Sequence, residues 1–414
     1  MERKEAGLLL CDFISGRNIA GARLAALSSA DGESLADWAL RFRVAGLFYR
    51  EIKTRHLPPE WIPAEARNRL REAYRHLAMI NTGLFFDAVT VLASLADHHL
   101  PVMALKGLAL AKTIYGDIAL RPMNDLDFLV KEEDLVKAGR ILLTLGYQQP
   151  CPAWESIKTF HHLPPFTNKN GTVIELHRHL VPSDSSIKID LDGLWERACL
   201  IKVDGAEVRA LSPEDLFLHL CIHAGVHLQT GIELIPLCDI AGLIKTSGDK
   251  IGWQPVMERA RQWGGQKCVY LILLLVRDLL GVAPPDKIMS DIKPADYQPV
   301  FLEEALAQIF EASPSEQLTV IRLGQLSKLK QAKGIKGKIS AFAERVFPSK
   351  ENLARIYPVS VSSPKIYLYY FFRLGRLTAY YAKVLFRLCR HDQAALNAVH
   401  QEHRVRAVSD WIFS

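Results

Sequence analysis

The chain has 414 residues, of which 49% are hydrophobic and 23% are charged, and its formal net charge is +6. A chain of this length exceeds the usual size of a single hydrophobic core, so we expect two or more packed units. The composition is that of an ordinary globular protein, which excludes intrinsically disordered and collagen-like sequences.

Several features predict a cytoplasmic protein without a membrane span. The longest apolar stretch, CVYLILLLV (268–276), is far shorter than the roughly 20 residues that a membrane-spanning helix needs. The opening residues MERKEAGLLLCDFISG mix acids with bases around a short apolar run, which is unlike a secretory signal. The seven cysteines show no C-x-x-C spacing, which favours reduced thiols over a disulfide framework or a zinc site.

The spacing of apolar residues divides the chain into regions. From Glu2 to His99 the period is helical, with one long run that starts at Pro63, and a helical period returns at Ser212, a good N-cap residue. We expect an N-terminal helical domain (1–99), a central strand-containing domain (100–211), a helical domain that completes its cleft (212–320) and a basic helical C-terminal region (321–414). The predicted fold is therefore α+β, a small mixed sheet flanked by helical domains.

The central region alternates between strand and helix patterns. LPVMALKG (100–107) and DLDFLV are short apolar runs, and a helix-like segment follows each of them. Two hairpins come next, because Asn170-Gly171 and Asp204-Gly205 are strong hairpin turns between apolar runs. We therefore expect a sheet of at least four strands.

The C-terminal region is strongly basic. Residues 322–390 contain fifteen Lys and Arg against two acids, a net charge of +13 that exceeds the charge of the whole chain. Such a stretch could attract nucleic acid, an acidic peptide or an anionic surface. A solvated helical face with aromatic side chains packed on the domain explains it equally well, so nucleic-acid binding is not the favoured interpretation.

The segment RPMNDLDFLV places two acids, Asp125 and Asp127, at the entrance of a predicted buried strand. Residues two apart on a strand point to the same side, so these like charges repel unless a cation lies between them. Magnesium prefers oxygen ligands of this kind and shares them with substrate phosphates. In VIELHRHL, Glu175 is the candidate third carboxylate, and the hairpin should place it beside the first strand with His177 on the same face. Surface acids that cap a loop are the competing explanation.

A turn about twenty residues upstream offers a phosphate seat. In ALKGLALAKTIYGD, Gly107 lies where a strand passes into a helix, and backbone N–H groups at such a turn can bind phosphate. Lys106 stands beside it. Arg121 could neutralise phosphate charge or simply pair with Asp125.

Three histidines, His219, His223 and His227, recur every four residues on a predicted helix. This spacing could supply metal ligands, although residues four apart on a helix are neighbours whatever their role. Asp239, further along the chain, either orients one of these histidines or caps a turn.

The segments LKGLALAKTIYGD, RPMNDLDFLV and VIELHRHL together resemble the nucleotidyltransferase superfamily with the DNA polymerase β-type palm. Within it the chain is most similar to a poorly characterised bacterial family that is often encoded near peptide natural-product clusters. LFLHLCIHAGVH, LCDIAGLI and YPVSVSSPKIYLYYFFRLGRL are also similar to that family, so the resemblance covers roughly residues 100–376.

The resemblance implies an Mg²⁺-dependent transferase, with Mn²⁺ as an alternative ion, that moves a nucleoside monophosphate from a nucleoside triphosphate to an acceptor, conceivably a peptide. It implies that Asp125 and Asp127 bind two metal ions, with Glu175 as a third ligand that also helps to deprotonate the acceptor, and that Gly107 holds the triphosphate. It further implies that His223 lines the cleft and contacts phosphate or acceptor, and His177 is a second candidate for a substrate contact.

The sequence departs from the family pattern at the turn, where Leu108 and Ala109 replace the usual small residue and hydroxyl, and Lys106 is expected to compensate. The third carboxylate is Glu rather than the commoner Asp. Two alternatives stay open: a sugar or phosphoryl transferase on the same metal site that acts on a peptide natural product, and a non-catalytic peptide- or nucleic-acid-binding protein with a degenerate palm.

Overall fold

A computed structural model of the chain describes residues 3–19, 21, 24, 26–55, 61–149, 161–182, 185–228, 233–310, 346–350, 353, 357, 359, 363–390 and 404–414. The chain forms two compact units, one made of 1–148, 159–311 and 409–414 and the other of 149–158 and 312–408. The domain boundaries expected after residues 99, 211 and 320 stay a prediction.

Helices precede the sheet in the first unit. They are α1 (Arg3–Ile14), α2 (Ser29–Arg41), α3 (Ala45–Thr54) and α4 (Ala64–Asp97). Ser28 and Asp31 form a reciprocal capping box that fixes the start of α2. The long helix expected from Pro63 is α4, which begins directly after that proline.

Helix α4 packs with one face only. Its buried side chains, among them Leu84, Ala88 and Leu95, recur every three or four residues and face the core. Among the described helices, α4 is the one that could cross a membrane by length and apolar composition, and 33% of its most apolar window is buried inside the protein.

The central element is a six-stranded sheet with the spatial order β3-β4-β2-β1-β6-β5. The strands are β1 (Val102–Ala104), β2 (Leu126–Val130), β3 (Phe166–Thr167), β4 (Val173–His177), β5 (Cys199–Val203) and β6 (Ala206–Ala210). The β2–β4 and β1–β6 pairs are parallel and the other pairs are antiparallel. The predicted α+β fold with a small mixed sheet is confirmed.

Short helices connect the strands. They are α5 (Lys106–Leu110), which runs into a π-helical turn (Ala111–Tyr115), a 3-10 turn (Glu132–Asp134), α6 (Leu135–Thr144) and α7 (Leu191–Glu196). The predicted hairpin turns lie between β3 and β4 and between β5 and β6, where Gly171 and Gly205 have φ of +86° and +93°. Glycine adopts this backbone conformation without the steric cost that a Cβ atom would bring.

Helices after the sheet complete the first unit. They are α8 (Pro213–His227), α9 (Leu234–Ser247), α10 (Trp253–Gln262), α11 (Gln266–Leu280), α12 (Asp286–Ile292) and α13 (Val300–Phe310). Ser212 caps α8 as predicted, because its side chain accepts a hydrogen bond from the backbone N–H of Asp215. The apolar stretch 268–276 lies in α11, which packs on α8 and α9.

In the second unit, α14 (Ile366–Cys389) carries the aromatic part of the basic region. Phe371 and Phe372 on this helix are 73% and 65% exposed. The basic residues between 322 and 345 lie outside the described part of the chain.

Candidate active site

Two carboxylates mark the entrance to β2. Asp125 is partly buried just ahead of the strand, whereas Asp127 lies within the strand and is only 6% exposed. Leu126 and Phe128, which alternate with them, are fully buried on the opposite face of the sheet. The burial of these two apolar side chains therefore fixes the strand so that its acidic side chains lie on the other face.

The parallel pairing of β2 with β4 brings a third carboxylate to this place. Asp127 is paired in register with Glu175, and Leu129 is paired with His177. Side chains of residues paired in this way lie side by side on one face of the sheet. Glu175 thus lies beside β2, the strand that carries Asp127, as expected from the sequence, and His177 follows on the same face.

Asp127, Glu175 and His177 form a compact set of metal-ligand types. One ligand atom from each lies within 4.8 Å of the other two. His177 Nε2 lies 2.8 Å from Asp127 Oδ1 and 3.4 Å from Glu175 Oε2. Metal–ligand bonds of about 2.0–2.2 Å bring adjacent ligand atoms to roughly 3 Å from one another, so these residues fit a divalent ion.

The two ring nitrogens of His177 differ in their contacts. Its Nδ1 atom is buried and has no hydrogen-bond partner among the described residues. The polar contacts of its ring are therefore directed at the carboxylates of the cluster. Asp125 is not a member of this cluster, and its role in metal binding stays a prediction.

The two aspartates differ in their electrostatics. Burial and the charges of Asp127 and Glu175 raise the pKa of Asp125 to about 6. Burial alone would raise the pKa of Asp127 as well, but the Lys106 ammonium and the hydrogen bond from His177 outweigh it and hold that pKa well below its usual range. Asp127 is thus the permanent anion of the site, and Asp125 takes up a proton in mildly acidic solution.

The cation that faces Asp127 is Lys106. Its Nζ atom lies 3.3 Å from Asp127 Oδ2, with the lysine side chain 18% exposed. Lys106 begins α5 directly after β1, and its φ of +37° is in the left-handed region that side chains rarely adopt. This backbone conformation accompanies the placement of the ammonium next to the buried carboxylate.

The turn at Gly107 is tightly packed. A Cβ atom at Gly107 would lie 2.7 Å from Arg121 Nη1 and 3.0 Å from the side chain of Met123. Leu108 and Ala109, the next residues, are buried. A side chain at this position would therefore displace Arg121 or Met123, and the predicted part of Gly107 in holding the triphosphate stays a prediction.

Arg121 does not pair with Asp125. Its Nε and Nη2 atoms donate to the carboxylate of Asp239 at 3.0 and 2.8 Å, and Tyr115 donates to the same carboxylate at 2.7 Å. Arg121 and Asp239 are both buried. The expectation that Asp239 orients a histidine or caps a turn is wrong, because it holds the guanidinium of Arg121. The predicted phosphate contact of Arg121 stays untested.

Histidines surround the cluster on two sides. The rings of His161 and His162 lie 5.7 and 5.2 Å from that of His177, and His162 Nδ1 is 4.0 Å from Glu175 Oε2. This pair was missed at the sequence level. The adjacent histidines just ahead of the hairpin were its only signal.

On α8, His219, His223 and His227 form the predicted row, with ring centroids 6.0 and 4.4 Å apart. Burial lowers the pKa of His219 to about 3 and that of His223 well below its usual range, and Lys106 adds to both shifts. The charge of Asp127 acts on the pKa of both in the opposite direction, so His219 and His223 lie within electrostatic reach of the carboxylate site. The row is not part of the described metal-ligand cluster.

One family profile matches a large part of the chain. The profile of a family described as an uncharacterised nucleotidyltransferase matches residues 28–281, more than half of the chain. The match includes most of the N-terminal helices and the whole sheet, but the segment YPVSVSSPKIYLYYFFRLGRL lies outside it. No protein with a curated description matches the chain significantly.

Among solved structures, an antigenic nucleotidyltransferase-like protein from Paracoccidioides brasiliensis is 13% identical, and the alignment covers 50% of this chain and 96% of that one with a TM-score of 0.28. Such a score carries no structural argument. The family match stands by itself on the sequence, and the chain belongs to the uncharacterised nucleotidyltransferase family.

Proposed function

We propose that the protein is a metal-dependent nucleotidyltransferase that moves a nucleoside monophosphate from a nucleoside triphosphate to an acceptor hydroxyl or phosphate. The observation that carries the proposal is the in-register pairing of Asp127 with Glu175 on parallel strands, with His177 2.8 Å from Asp127. Lys106 offsets the charge of Asp127 only, so a divalent ion would complete the compensation of the two carboxylates. Membership of the family supports a nucleoside triphosphate as the donor.

The metal site consists of Asp127, Glu175 and His177, with Asp125 next to them. A divalent ion bound there would stabilise the negative charge that develops on the donor phosphates and lower the pKa of the acceptor hydroxyl. The resemblance noted above implies Mg²⁺ in this role, with Mn²⁺ as the alternative.

Glu175 is the proposed proton acceptor. Its side chain is 22% exposed, against 6% for Asp127 and His177, so it is the most accessible group of the cluster. It takes the proton of the acceptor hydroxyl while the acceptor oxygen forms a bond to the α-phosphorus. The bond from that phosphorus to the bridging oxygen breaks, and pyrophosphate leaves with the electron pair.

Lys106 and His223 are the proposed phosphate contacts. Lys106 places a point charge beside Asp127, where it can pair with a donor phosphate oxygen once a metal ion shares the carboxylate. His223 lies on α8, and the charges of Lys106 and Asp127 both act on its pKa, which burial lowers well below the usual range. A neutral imidazole at this position can donate one hydrogen bond to phosphate or to the acceptor.

A second candidate function has one observation in its favour. Packing of Arg121 against Gly107, together with the buried Leu108 and Ala109, leaves the turn without the small residues that usually grip a triphosphate. A protein that binds a peptide or a nucleic acid through a degenerate palm would tolerate this loss. The retained carboxylate cluster favours catalysis instead.

The test is incubation of the protein with each nucleoside triphosphate in turn, or with a nucleotide sugar, together with Mg²⁺ or Mn²⁺ and a cell extract, followed by mass analysis. Addition of one nucleoside monophosphate to an acceptor, absent with Asp127→Asn, supports the proposal. Addition of a sugar or of phosphate alone identifies another transferase chemistry on the same site. Retention of an acceptor without any modification supports the binding protein.

A further inference from the structure

We infer that the metal site binds a first-row transition ion through Nε2 of His177, and that this nitrogen makes the site discriminate against Mg²⁺, with Mn²⁺ as the spectroscopic probe. This inference rests on the metal site of the proposed function, but it does not require that nucleotidyl transfer takes place.

The ligand set is the first reason. Mg²⁺ is a hard ion that takes oxygen ligands in near-ideal octahedral geometry. Imidazole nitrogen suits transition ions, whose affinity for mixed nitrogen and oxygen sites exceeds that of the alkaline earths. His177 is the residue whose ring nitrogen lies closest to both carboxylates of the cluster, at 2.8 and 3.4 Å.

The second reason is that the two carboxylate oxygens of Asp127 have different partners. Its Oδ1 atom faces His177 at 2.8 Å, whereas its Oδ2 atom faces Lys106 at 3.3 Å. An ion that replaces the proton shared by Nε2 and Oδ1 therefore leaves the Lys106 contact in place. Binding of metal to such a pair releases that proton, as metal sites with histidine ligands generally do.

Burial is the third reason. His177 and Asp127 are 5% and 6% exposed, so the protein side of the site has little room for water. Mg²⁺ gives up its water reluctantly and usually keeps several of these ligands. A transition ion with direct nitrogen and oxygen bonds suits a buried position better.

The competing explanation is a structural histidine that bridges two carboxylates by hydrogen bonds alone. Such a bridge accounts for the contact of Nε2 with both carboxylates, and the buried Nδ1 atom has no hydrogen-bond partner among the described residues under either explanation. A preference for Mn²⁺ over Mg²⁺ does not by itself exclude this explanation, because sites made only of carboxylates also favour Mn²⁺ to some degree. The test must therefore detect the nitrogen directly.

The experiment combines pulsed electron paramagnetic resonance of bound Mn²⁺ with calorimetric titration of Mn²⁺ and of Mg²⁺, without nucleotide. The proteins are the wild type, His177→Gln and a control, His98→Gln, whose exposed ring lies at the end of α4. We expect ¹⁴N coupling in the wild type and the control but not in His177→Gln. Loss of His177 should weaken Mn²⁺ binding by roughly ten-fold or more and Mg²⁺ binding much less.

Absence of ¹⁴N coupling in the wild-type Mn²⁺ complex would overturn the inference, and this result does not depend on the folding of any variant. An equal loss of Mn²⁺ and Mg²⁺ affinity in a folded His177→Gln protein would do the same. A protein that shows ¹⁴N coupling but no transfer would contradict the proposed function alone, whereas an active transferase without the coupling would contradict only the identity of the ion.

Discussion

Lys106 and Asp127 form an ion pair in which Nζ lies 3.3 Å from Oδ2, and their side chains are 18% and 6% exposed. The ammonium of Lys106 offsets part of the repulsion between the two acids at the entrance of β2. It also gives the two aspartates opposite effects on stability, which can be measured separately from activity.

Asp127→Asn should destabilise the protein. The substitution removes the charge that faces the ammonium of Lys106 and the ring of His177, and breaking a buried pair from one side leaves the other charge without compensation. Because Lys106 keeps some contact with solvent, we expect a loss of about 2–3 kcal/mol rather than the full cost of a buried pair. Urea unfolding at pH 7.5 measures it. The exposed Asp249→Asn is the matched control, and an equally small change in both variants would contradict the pairing.

Asp125→Asn should stabilise the protein, and the gain should grow with pH. The folded-state pKa of Asp125 is raised to about 6, above the value in the unfolded chain, so its contribution to stability is fully present below pH 3.8 and is lost as pH rises through 6. Asparagine resembles the protonated acid and escapes this loss.

We expect little difference between Asp125→Asn and the wild type at pH 4, and a gain on the order of 1–2 kcal/mol at pH 7.5, after allowance for partial exposure to solvent. Urea unfolding across this range measures it. A gain that is constant with pH, or a loss at pH 7.5, would show that Asp125 is not held in a repulsive environment.

Substitutions of Lys106 separate its side chain from its backbone. Lys106→Ala should weaken binding of donor with metal by about 1.5–3 kcal/mol, the worth of a hydrogen bond to a charged group, and Lys106→Arg should restore only part of it. Lys106→Gly should lose the same affinity but unfold at higher denaturant than Lys106→Ala. The reason is that glycine relieves the left-handed backbone at φ +37°, for a gain of about 1 kcal/mol.

Calorimetric titration of the donor and urea unfolding give the two quantities independently. Equal donor affinity in the wild type and Lys106→Ala would mean that the phosphates are held elsewhere.

Arg121 and Asp239 should act as one structural unit. In a double-mutant cycle with Arg121→Met and Asp239→Asn, each single change leaves a buried partner unsatisfied, whereas the double change removes both charges. We expect a coupling of at least about 2 kcal/mol in the free energy of unfolding, measured in urea. If the two losses of unfolding free energy are additive, Arg121 and Asp239 do not stabilise each other, and Arg121 must pair with another group.

Much of the fold could be predicted because its signals are local. Asn170-Gly171 and Asp204-Gly205 each predicted a hairpin, and Ser212 predicted the start of a helix. The structure has all three. The alternation of apolar residues around β2 also showed which acids share a face. These features depend on neighbouring residues and need no knowledge of tertiary packing.

The composition of the site was less predictable, because it depends on pairing between distant segments. The parallel register of β2 and β4 brings His177 into the cluster with Asp127 and leaves Asp125 outside it. The sequence showed that Glu175 and His177 share a face, but not that His177 contacts Asp127. The bond between Arg121 and Asp239 joins residues 118 positions apart. The short distance in sequence between Arg121 and Asp125 suggested the wrong partner, because packing between distant segments decided the contact.

The most direct test of the central claim follows the label of a nucleoside triphosphate. The donor that the mass analysis identifies is supplied with label on the α- or the γ-phosphorus, and wild type is compared with Asp127→Asn and Asp249→Asn. Nucleotidyl transfer predicts that the α-label enters the acceptor, that the γ-label leaves in pyrophosphate, and that Asp127→Asn alone loses both signals. Entry of the γ-label into the acceptor, or full activity of a folded Asp127→Asn protein, would contradict the account.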